Sequence, residues 1–496
     1  MAKKQDSLEE MGKALCASLH FNPTSNSTKP LYVANSLFRA TTGIECNIED
    51  LHEWIVSERR AKAVASEEIV RKYGDAINNC RPEMVEDIKE ARFYLEKLFN
   101  PDSTVYPSYP NSVLNIPSKW LVRSYVKAEQ GTGEFLYNIL NTPIDGQRSP
   151  AIDVIEKALG DDDDDLSRTI KPIIVRKPEA ERIVRKETEG GLRPLSESEL
   201  IIRAGFDRLA KNCEDYNEKN GANSLLTLRR IVSYAMFACF FFLEDVNRTR
   251  FGGEKIPLLL DADGKHSAVS RASEACFIAC KKAVESYTVS FAQEKLKEWN
   301  LITDVNSEAA CQSYVNSGFS LNEKNEDKHV REVISRHVSG NCRAGDPPLL
   351  ALAKAIQFGI YTFTYPDTTP SDFCNVLGGK AGLVGPSGNA AKYKRFLINR
   401  FLLETIVLSA VNCEKLNDGI ELRELGEALR DSYNIIIGTN TDMDYAALDT
   451  YGIASATPEN LRGELAENAK DIADMLISMG LAKRYADGVT LVGWGL

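Results

Sequence analysis

The feature that most constrains the fold is an apolar stretch at residues 231–243, with the sequence IVSYAMFACFFFL. It is shorter than the about 20 apolar residues that a helix needs to cross a bilayer. Arg229 and Arg230 precede it, and Glu244 and Asp245 follow it. Because charged residues close both ends, the stretch predicts a helix buried in the core of a globular protein, and we expect no membrane association.

Length and composition set the scale of that protein. The chain has 496 residues, more than one hydrophobic core usually organises, which predicts roughly two to four domains. Its hydrophobic fraction of 43% and charged fraction of 26% are ordinary for globular proteins. Apolar residues recur at helical spacing over much of the chain, so we expect a mainly α, multidomain protein.

The charge balance limits the kinds of partner. The formal net charge is −11 at pH 7, whereas a protein that coats nucleic acid usually has a surplus of Lys and Arg to neutralise phosphates. Contact with DNA or RNA would therefore have to come from a local basic patch or from a partner subunit.

The cysteines and the N-terminal residues indicate the compartment. The 11 cysteines are odd in number and irregularly spaced, which fits free thiols in a reducing cytosol better than a disulfide framework. The first residues, Met1-Ala2-Lys3-Lys4, are not followed by the uninterrupted apolar segment of a signal peptide. We therefore expect a cytoplasmic protein.

A run of charge marks the clearest break in the chain. Five consecutive aspartates at residues 161–165 precede a basic segment that ends at Gly190 and Gly191. Like charges at this density repel each other and stay solvated, so a linker or exposed loop is predicted. Cations of this segment are candidate contacts to a nucleic acid or a partner protein: Arg176, Lys177, Arg185 and Lys186.

The central part of the chain has the strongest helical patterns, at residues 197–217, 224–247 and 269–299. Between the last two, residues 256–260 predict a short buried strand that ends in a turn at Asp261. No alternation of strands and helices follows, so a doubly wound sheet is not expected. The predicted parts are an N-terminal helical domain at 1–140, a charged linker or exposed loop at 141–196, a central helical domain at 197–375, a glycine-rich connection at 376–391 and a final domain at 392–496.

The glycine-rich segment at residues 378–388 was compared with phosphate-binding loops. Such a loop has two glycines five residues apart, followed by Lys and then by Ser or Thr. Here Ala381 follows Lys380, and Cys374 occupies the position of the first glycine. The segment is therefore predicted to be an exposed connection between domains.

Asp261 and Asp263 are the candidate catalytic or metal-binding residues. The sequence Asp-Ala-Asp-Gly begins like a calcium loop, but Lys265 and His266 stand where a third ligand and the invariant glycine would be needed. Two carboxylates at this spacing could still hold Mg²⁺, and the alternative is a turn with a solvated pair of aspartates. No resident cofactor or metal is predicted, and Mg²⁺ enters only if the protein is an enzyme.

Other metal and nucleophile patterns give no site. The five histidines lack the spacing of a zinc pair. Cys276 and Cys280 lie four residues apart, which predicts two buried thiols on one face of a helix. No Gly-x-Ser-x-Gly elbow occurs in the chain.

The last 100 or so residues have a specific order of elements. A helix is predicted at residues 393–411, an extended piece at 420–422, a second helix at 422–433 and a third from Pro458 to about Met479. Asp487-Gly488 then predicts a tight turn in a β-hairpin. This order resembles the winged-helix family, by pattern alone and without a family sequence motif.

The resemblance implies a binding surface. Winged-helix domains often place their third helix in the DNA major groove, but here that helix is rich in acidic residues, which would repel phosphates. Any contact with DNA would therefore be made by the wing and the first helix. A protein partner is favoured over sequence-specific binding of DNA. The candidate contacts are Lys392, Lys394, Arg395, Lys483 and Arg484.

Two hypotheses of function follow. The first is a non-catalytic scaffold or adaptor subunit of a multiprotein assembly, such as a bacterial, DNA-associated nucleic-acid-processing or antiviral (anti-phage) defence complex, with other protein subunits as partners. The alternative is a metal-dependent enzyme acting on nucleic acid, with Asp261 and Asp263 as Mg²⁺ ligands and residues 176–193 as a phosphate-binding arm.

Overall fold

The structure is a computed structural model. It describes residues 6–22, 29–55, 63–99, 116, 118–123, 129–160, 164–176, 193–322, 329–366, 369–387, 392–457 and 460–494. The prediction of a mainly α protein is confirmed, because helices dominate these residues and the strands are short. Of the candidate contact residues, Lys177, Arg185 and Lys186 lie outside the described residues.

The N-terminal part is built from short helices. They are α1 (Ser7–Leu19), α2 (Pro30–Thr42), α3 (Glu49–Ile55), α4 (Ser66–Cys80), α5 (Glu83–Glu86), α6 (Ile88–Phe99), α7 (Thr132–Asn141), α8 (Pro150–Ala158) and α9 (Asp165–Ile170). Strand β1 (Cys46–Asn47) pairs antiparallel with β2 (Val175–Arg176), so Arg176 lies in a strand. Residues 164–170, within the predicted linker, form a helix whose N-cap Asp164 accepts from the Ser167 amide.

Helices α2 and α7 cross at very short range. A Cβ atom on Gly133 of α7 would lie 2.2 Å from the backbone nitrogen of Leu37 on α2. Beside this crossing, Arg39 Nη2 donates to Glu129 Oε2 at 2.6 Å, and Glu129 is fully buried. The close approach and the buried ion pair hold α2 and α7 in one arrangement.

The central part contains the longest helices. They are α10 (Glu197–Asn220), α11 (Ser224–Phe251), α12 (Ser267–Glu298), α13 (Glu308–Ser313), α14 (Val330–Arg343), α15 (Pro348–Gly359) and α16 (Pro370–Ala381). Two π-helical segments, Tyr314–Gly318 and Ile360–Thr364, extend α13 and α15. The three helices predicted at residues 197–299 are confirmed to within a few residues.

Helix α11 is the core helix that the apolar stretch predicts. Asn223 caps its first turn, and Gly252 ends it in the left-handed conformation at φ 73°. Among the described residues it is the one helix long and apolar enough, by length and composition, to cross a membrane, but 78% of its most apolar window is buried inside the protein. The core helices of globular proteins have the same property.

Glu244 near the end of α11 predicts a pH dependence of stability. Burial, followed by the charge of Asp245, holds the pKa of its carboxyl well above the ordinary value of 4.5, while Arg248 and Lys255 oppose the shift. The native protein therefore binds this proton more tightly than the unfolded chain, and the resulting stabilisation is complete below pH 4.5 and lost as pH rises.

We expect Glu244→Gln to have the same free energy of unfolding as the wild type near pH 4. At higher pH the variant should be more stable than the wild type, by a difference that grows with pH. Each unit of difference in pKa is worth about 1.4 kcal/mol. Urea unfolding of both proteins from pH 4 to 8 measures the effect. A difference between them that does not change with pH would contradict the assignment.

The C-terminal part combines helices with two small sheets. Its elements are α17 (Arg400–Ala410), α18 (Cys413–Asp418), β4 (Ile420–Glu421), α19 (Leu422–Tyr433), β5 (Ile435–Ile436), α20 (Thr441–Thr450), α21 (Leu461–Ser478), β6 (Ala482–Arg484) and β7 (Thr490–Val492). The antiparallel strand order is β4-β7-β6, with Val492 paired to both Ile420 and Ala482. The predicted hairpin and the helix at 422–433 are confirmed.

The strand predicted before Asp261 is also confirmed, as β3 (Leu258–Leu259). It pairs in parallel with β5, with Leu258 opposite Ile435. Helix α17 packs against α10 and α11, and Asn212 of α10 donates to the carbonyl oxygens of Leu408 and Val411. One cluster of buried apolar side chains runs from Leu8 to Val492, so the buried contacts cross the predicted boundaries at 197 and 392.

Two local predictions are wrong. The glycine-rich connection predicted from residue 376 begins inside α16, which continues to Ala381 and ends at Gly382 with φ 82°. The helix predicted from residue 393 begins at Arg400, because residues 394–398 are extended and hydrogen-bonded to other segments. Helix α20 lies between the second and third predicted C-terminal helices.

Candidate partner-binding site

The turn after β3 is the centre of the candidate site. The Asp261 side chain is fully buried, and its Oδ1 accepts from the backbone amides of Asp263 and Gly264 at 3.2 and 2.7 Å. Its Oδ2 accepts from the Ser270 hydroxyl on α12 at 2.6 Å. This carboxylate therefore holds the turn closed onto the first turn of α12.

Arg395 completes the set of donors to Asp261. Its Nε donates to Asp261 Oδ2 at 2.6 Å. A Cβ on Gly264, which has φ 79°, would lie 2.4 Å from Arg395 Nη2. Glycine at 264 therefore provides both the left-handed turn and the space for the guanidinium.

Arg395 belongs to a short hairpin arm, of which residues 383–387 and 392–398 are described. Its backbone exchanges two hydrogen bonds with Gly385, at 2.8 and 3.0 Å. The Asp261 amide donates to the Phe396 carbonyl, and the Phe396 amide donates to the Ser273 hydroxyl. These bonds fix the base of the hairpin arm on the β3 turn and on α12.

Helix α21 lies against the same turn. Asn468 is fully buried, and its amide group donates to the carbonyl oxygens of Leu260 and Ile437 and accepts from the Ala262 amide. Glu464 accepts from the Ala268 amide at the start of α12, and Asp471 pairs with His266 at 2.9 Å. One face of α21 is thus covered by the protein itself.

A groove of about 520 Å³ opens between these elements. It is lined by Ala262, Asp263, Lys265, Ile398, Asn399, Arg400, Asp471, Asp474 and Met475. Burial by itself would raise the pKa of Asp263, but hydrogen bonding from Lys265 outweighs it and lowers the pKa below its ordinary value. Asp474 pairs with Arg484 of β6 at 2.8 Å. The groove therefore presents both signs of charge.

Cationic and aromatic side chains are exposed in two hairpins. In the hairpin arm, Lys392 is exposed and Tyr393 is 70% exposed, with the left-handed φ of 57° that is rare for a bulky residue. In the β6–β7 hairpin, Lys483 and Arg484 are exposed and Tyr485 is 39% exposed. We call the following residues together the docking face: Lys392, Tyr393, Lys394, Arg400, Lys483, Arg484 and Tyr485.

The structure brings together four of the residues that the sequence singled out, namely Asp261, Asp263, Arg395 and Arg484. Asp261 and Arg395 form one ion pair, and Arg484 reaches the groove through Asp474. Arg176 lies in the separate β1–β2 sheet. Sequence reasoning missed Tyr393 and Tyr485, although an aromatic residue next to two cations in a polar segment is a readable signal of a binding surface.

Asp261 and Asp263 are the candidate metal ligands. Within the described ranges, no group of three or more His, Cys, Asp or Glu side chains is arranged to hold a metal ion. Asp261 is engaged by four protein donors and Asp263 by Lys265. All eleven cysteines are free, and Cys276 and Cys280 are fully buried as predicted.

Comparison with known proteins gives no relative: no family model matches the chain, and no curated protein or solved structure shows significant similarity to it.

Proposed function

We propose that the protein is a non-catalytic adaptor subunit of a multiprotein assembly, and that its docking face binds an acidic surface of a partner protein. The observation that carries the proposal is the contrast between α21 and the two hairpins. Helix α21 is packed onto the β3 turn and α12, whereas the hairpins expose Lys392, Tyr393, Lys483, Arg484 and Tyr485.

We also propose that residues 392–496 form a winged-helix-like unit. The order α17, β4, α19, α21 and the β6–β7 hairpin supports it, as does the strand order β4-β7-β6. Helices α18 and α20 and strand β5 are additions to that order. In this assignment the β6–β7 hairpin is the wing, and α21 is the helix that other members place in the DNA major groove.

The contacts of α21 favour a protein partner over duplex DNA. The face of α21 that includes Asn468 and Glu464 is covered by α12 and by the residues that follow β3 and β5. The exposed face carries the acidic residues Glu467 and Asp474, which phosphates would not approach readily. The carboxylates of Asp263, Asp471 and Asp474 line the groove and would repel the phosphates of a strand laid along it. A protein surface can instead place acidic side chains opposite the cations of the docking face and basic or polar side chains opposite these three carboxylates.

Buried ion pairs support an adaptor with a fixed docking face. Arg230 of α11 donates to Glu404 of α17 at 2.8 Å, and Arg430 of α19 pairs with Asp444 of α20 at 2.5 Å. Breaking such pairs is costly, so they hold the C-terminal elements in one arrangement. A pre-organised surface loses little entropy when a partner binds.

We expect charge reversal on the hairpin arm to release the partner. The test compares tagged wild-type protein with the double variant Lys392→Glu/Lys394→Glu after affinity purification from the native host, with nuclease treatment. A close charge pair across an interface is worth about 1.5 kcal/mol or more, so the partner should be retained at least tenfold less by the variant. Quantitative mass spectrometry measures the ratio.

The matched control is Lys282→Glu/Lys297→Glu, which reverses two exposed charges on α12 away from the groove. The proposal requires a stoichiometric partner that survives nuclease, is lost from the hairpin variant and is retained by the control. If all partners are lost on nuclease treatment, the proposal of a protein partner is wrong and direct binding to nucleic acid replaces it. If the hairpin variant and the control retain the partner equally, the docking face is not the surface that binds it.

A further inference from the structure

A second cavity, of about 330 Å³, lies apart from the groove. It is formed where α1 meets the C-terminal end of α12 and the π-helical segment Tyr314–Gly318. π-Helical segments occur frequently at functional sites. The cavity is lined by Ser7, Glu10, Met11, Trp299, Leu301, Tyr314, Gly318, Phe319, Ser320 and Ile356.

Hydrogen bonds between distant parts of the chain build this cavity. The Ser7 amide donates to the Ser320 carbonyl at 2.8 Å, and the Ser320 amide donates to the Ser7 hydroxyl at 3.0 Å. The Asp6 carboxylate, which caps α1, also accepts from the Asn322 amide at 3.1 Å. The start of α1 is thereby fixed along one side of the π-helical segment.

Aromatic rings form much of the wall. The rings of Tyr314 and Phe319 are nearly perpendicular, at 88°, with centroids 5.8 Å apart. Trp299, the C-cap of α12, is half-buried and adds a third ring. A Cβ on Gly318 would lie 2.7 Å from Tyr314 Cδ2, so the glycine allows the tyrosine ring to fold back over the segment.

A single carboxylate accompanies the three rings. Glu10 is exposed at the cavity, and no ion pair to it is formed within the described part of the chain. Its neighbour Glu9 instead pairs with Lys13 at 2.7 Å. Burial is the main reason that the pKa of Tyr314 rises to about 12, and the charge of Glu10 adds to the shift.

We propose that this cavity binds a quaternary or fully methylated ammonium group. Aromatic faces attract such cations, and cages of two or three rings are the usual way in which proteins recognise them. A primary ammonium has three N–H donors that need acceptors in place of water, whereas a quaternary ammonium has none and requires only ring faces and an opposite charge. The Glu10 carboxylate supplies the opposite charge at the rim.

Calorimetric titration of the full chain tests the proposal with a pair of ligands of equal shape. Choline carries a quaternary ammonium, and 3,3-dimethyl-1-butanol replaces it with a neutral tert-butyl group. We expect choline to bind at least about tenfold more tightly. Equal affinity for the two ligands, or no binding of choline at millimolar concentration, would overturn the proposal.

Variants locate the site. Trp299→Leu is expected to weaken choline binding about tenfold, and Glu10→Gln to weaken it a few-fold and reduce its dependence on salt. The matched control Glu9→Gln removes a carboxylate one residue away that already has a cationic partner, and it should leave the affinity unchanged. If Glu9→Gln and Glu10→Gln weaken binding equally, the carboxylate acts only through long-range charge and the cage is not the site.

Discussion

Replacing Gly133 with alanine is expected to lower the free energy of unfolding by about 3 kcal/mol, the upper end of what overpacking costs. The added Cβ would lie 2.2 Å from the Leu37 nitrogen and 2.5 Å from the Ser36 carbonyl carbon. Both are backbone atoms of α2, so relief requires one helix to move away from the other. Urea unfolding monitored by circular dichroism measures the loss.

Gly340→Ala is the matched control for this substitution. Gly340 is exposed on α14, and nothing lies within 4 Å of its added Cβ. Alanine has a higher helix propensity than glycine, so this variant should gain roughly 0.5–1 kcal/mol. The expected result is that the free energy of unfolding falls in Gly133→Ala and rises in Gly340→Ala. A Gly133→Ala protein as stable as the wild type would mean that α2 and α7 do not cross at this distance.

Asp261→Ala is expected to destabilise the protein by about 3 kcal/mol, because removing one partner of a buried ion pair leaves the other charge buried and unpaired. Arg395, whose side chain is only 14% exposed, would lose its carboxylate, and the Ser270 hydroxyl and the Gly264 amide would lose their acceptor. Thermal and urea unfolding measure the effect.

The neighbouring carboxylate provides the control. Asp263 pairs with Lys265, whose side chain is 70% exposed, and such pairs contribute less than about 1 kcal/mol. Adding Arg395→Leu to Asp261→Ala should recover part of the lost stability, since no charge is then left unpaired. Equal and small effects of Asp261→Ala and Asp263→Ala would argue against a structural role and favour a role in ligand or metal binding.

Local signals allowed the sequence to predict the central helices and the C-terminal hairpin. The helical pattern predicts α11 over residues 224–247, and Asn223 caps its first turn. The turn at Asp487-Gly488 follows from the positive φ that Gly488 adopts, 88°. Caps, turns and periodicity depend on residues within a few positions of one another, so they can be read without the fold.

The errors fall where tertiary contacts override local preference. Glycine disfavours helix, but Gly378 lies within α16, where a Cβ would meet Val384 at 2.5 Å and Phe240 at 3.3 Å. Close packing and the capping box of Thr369 with Asp372 sustain that helix. The position of Phe396 among the apolar residues of this segment fits one face of a helix. Its backbone is nevertheless held extended by hydrogen bonds to the Asp261 amide and the Ser273 hydroxyl.

The sequence by itself determined the helical class, the core helix α11 and the position of the turn at Asp261, since each depends on local pattern. Only the tertiary structure decided what that turn does. Asp261 and Arg395 are 134 residues apart, and the choice between a metal ligand and an ion-pair partner depends on which donors surround the carboxylate. Two of those donors are amides of the turn itself, and the other two, Ser270 on α12 and Arg395 on the hairpin arm, are brought to the carboxylate only by the tertiary structure.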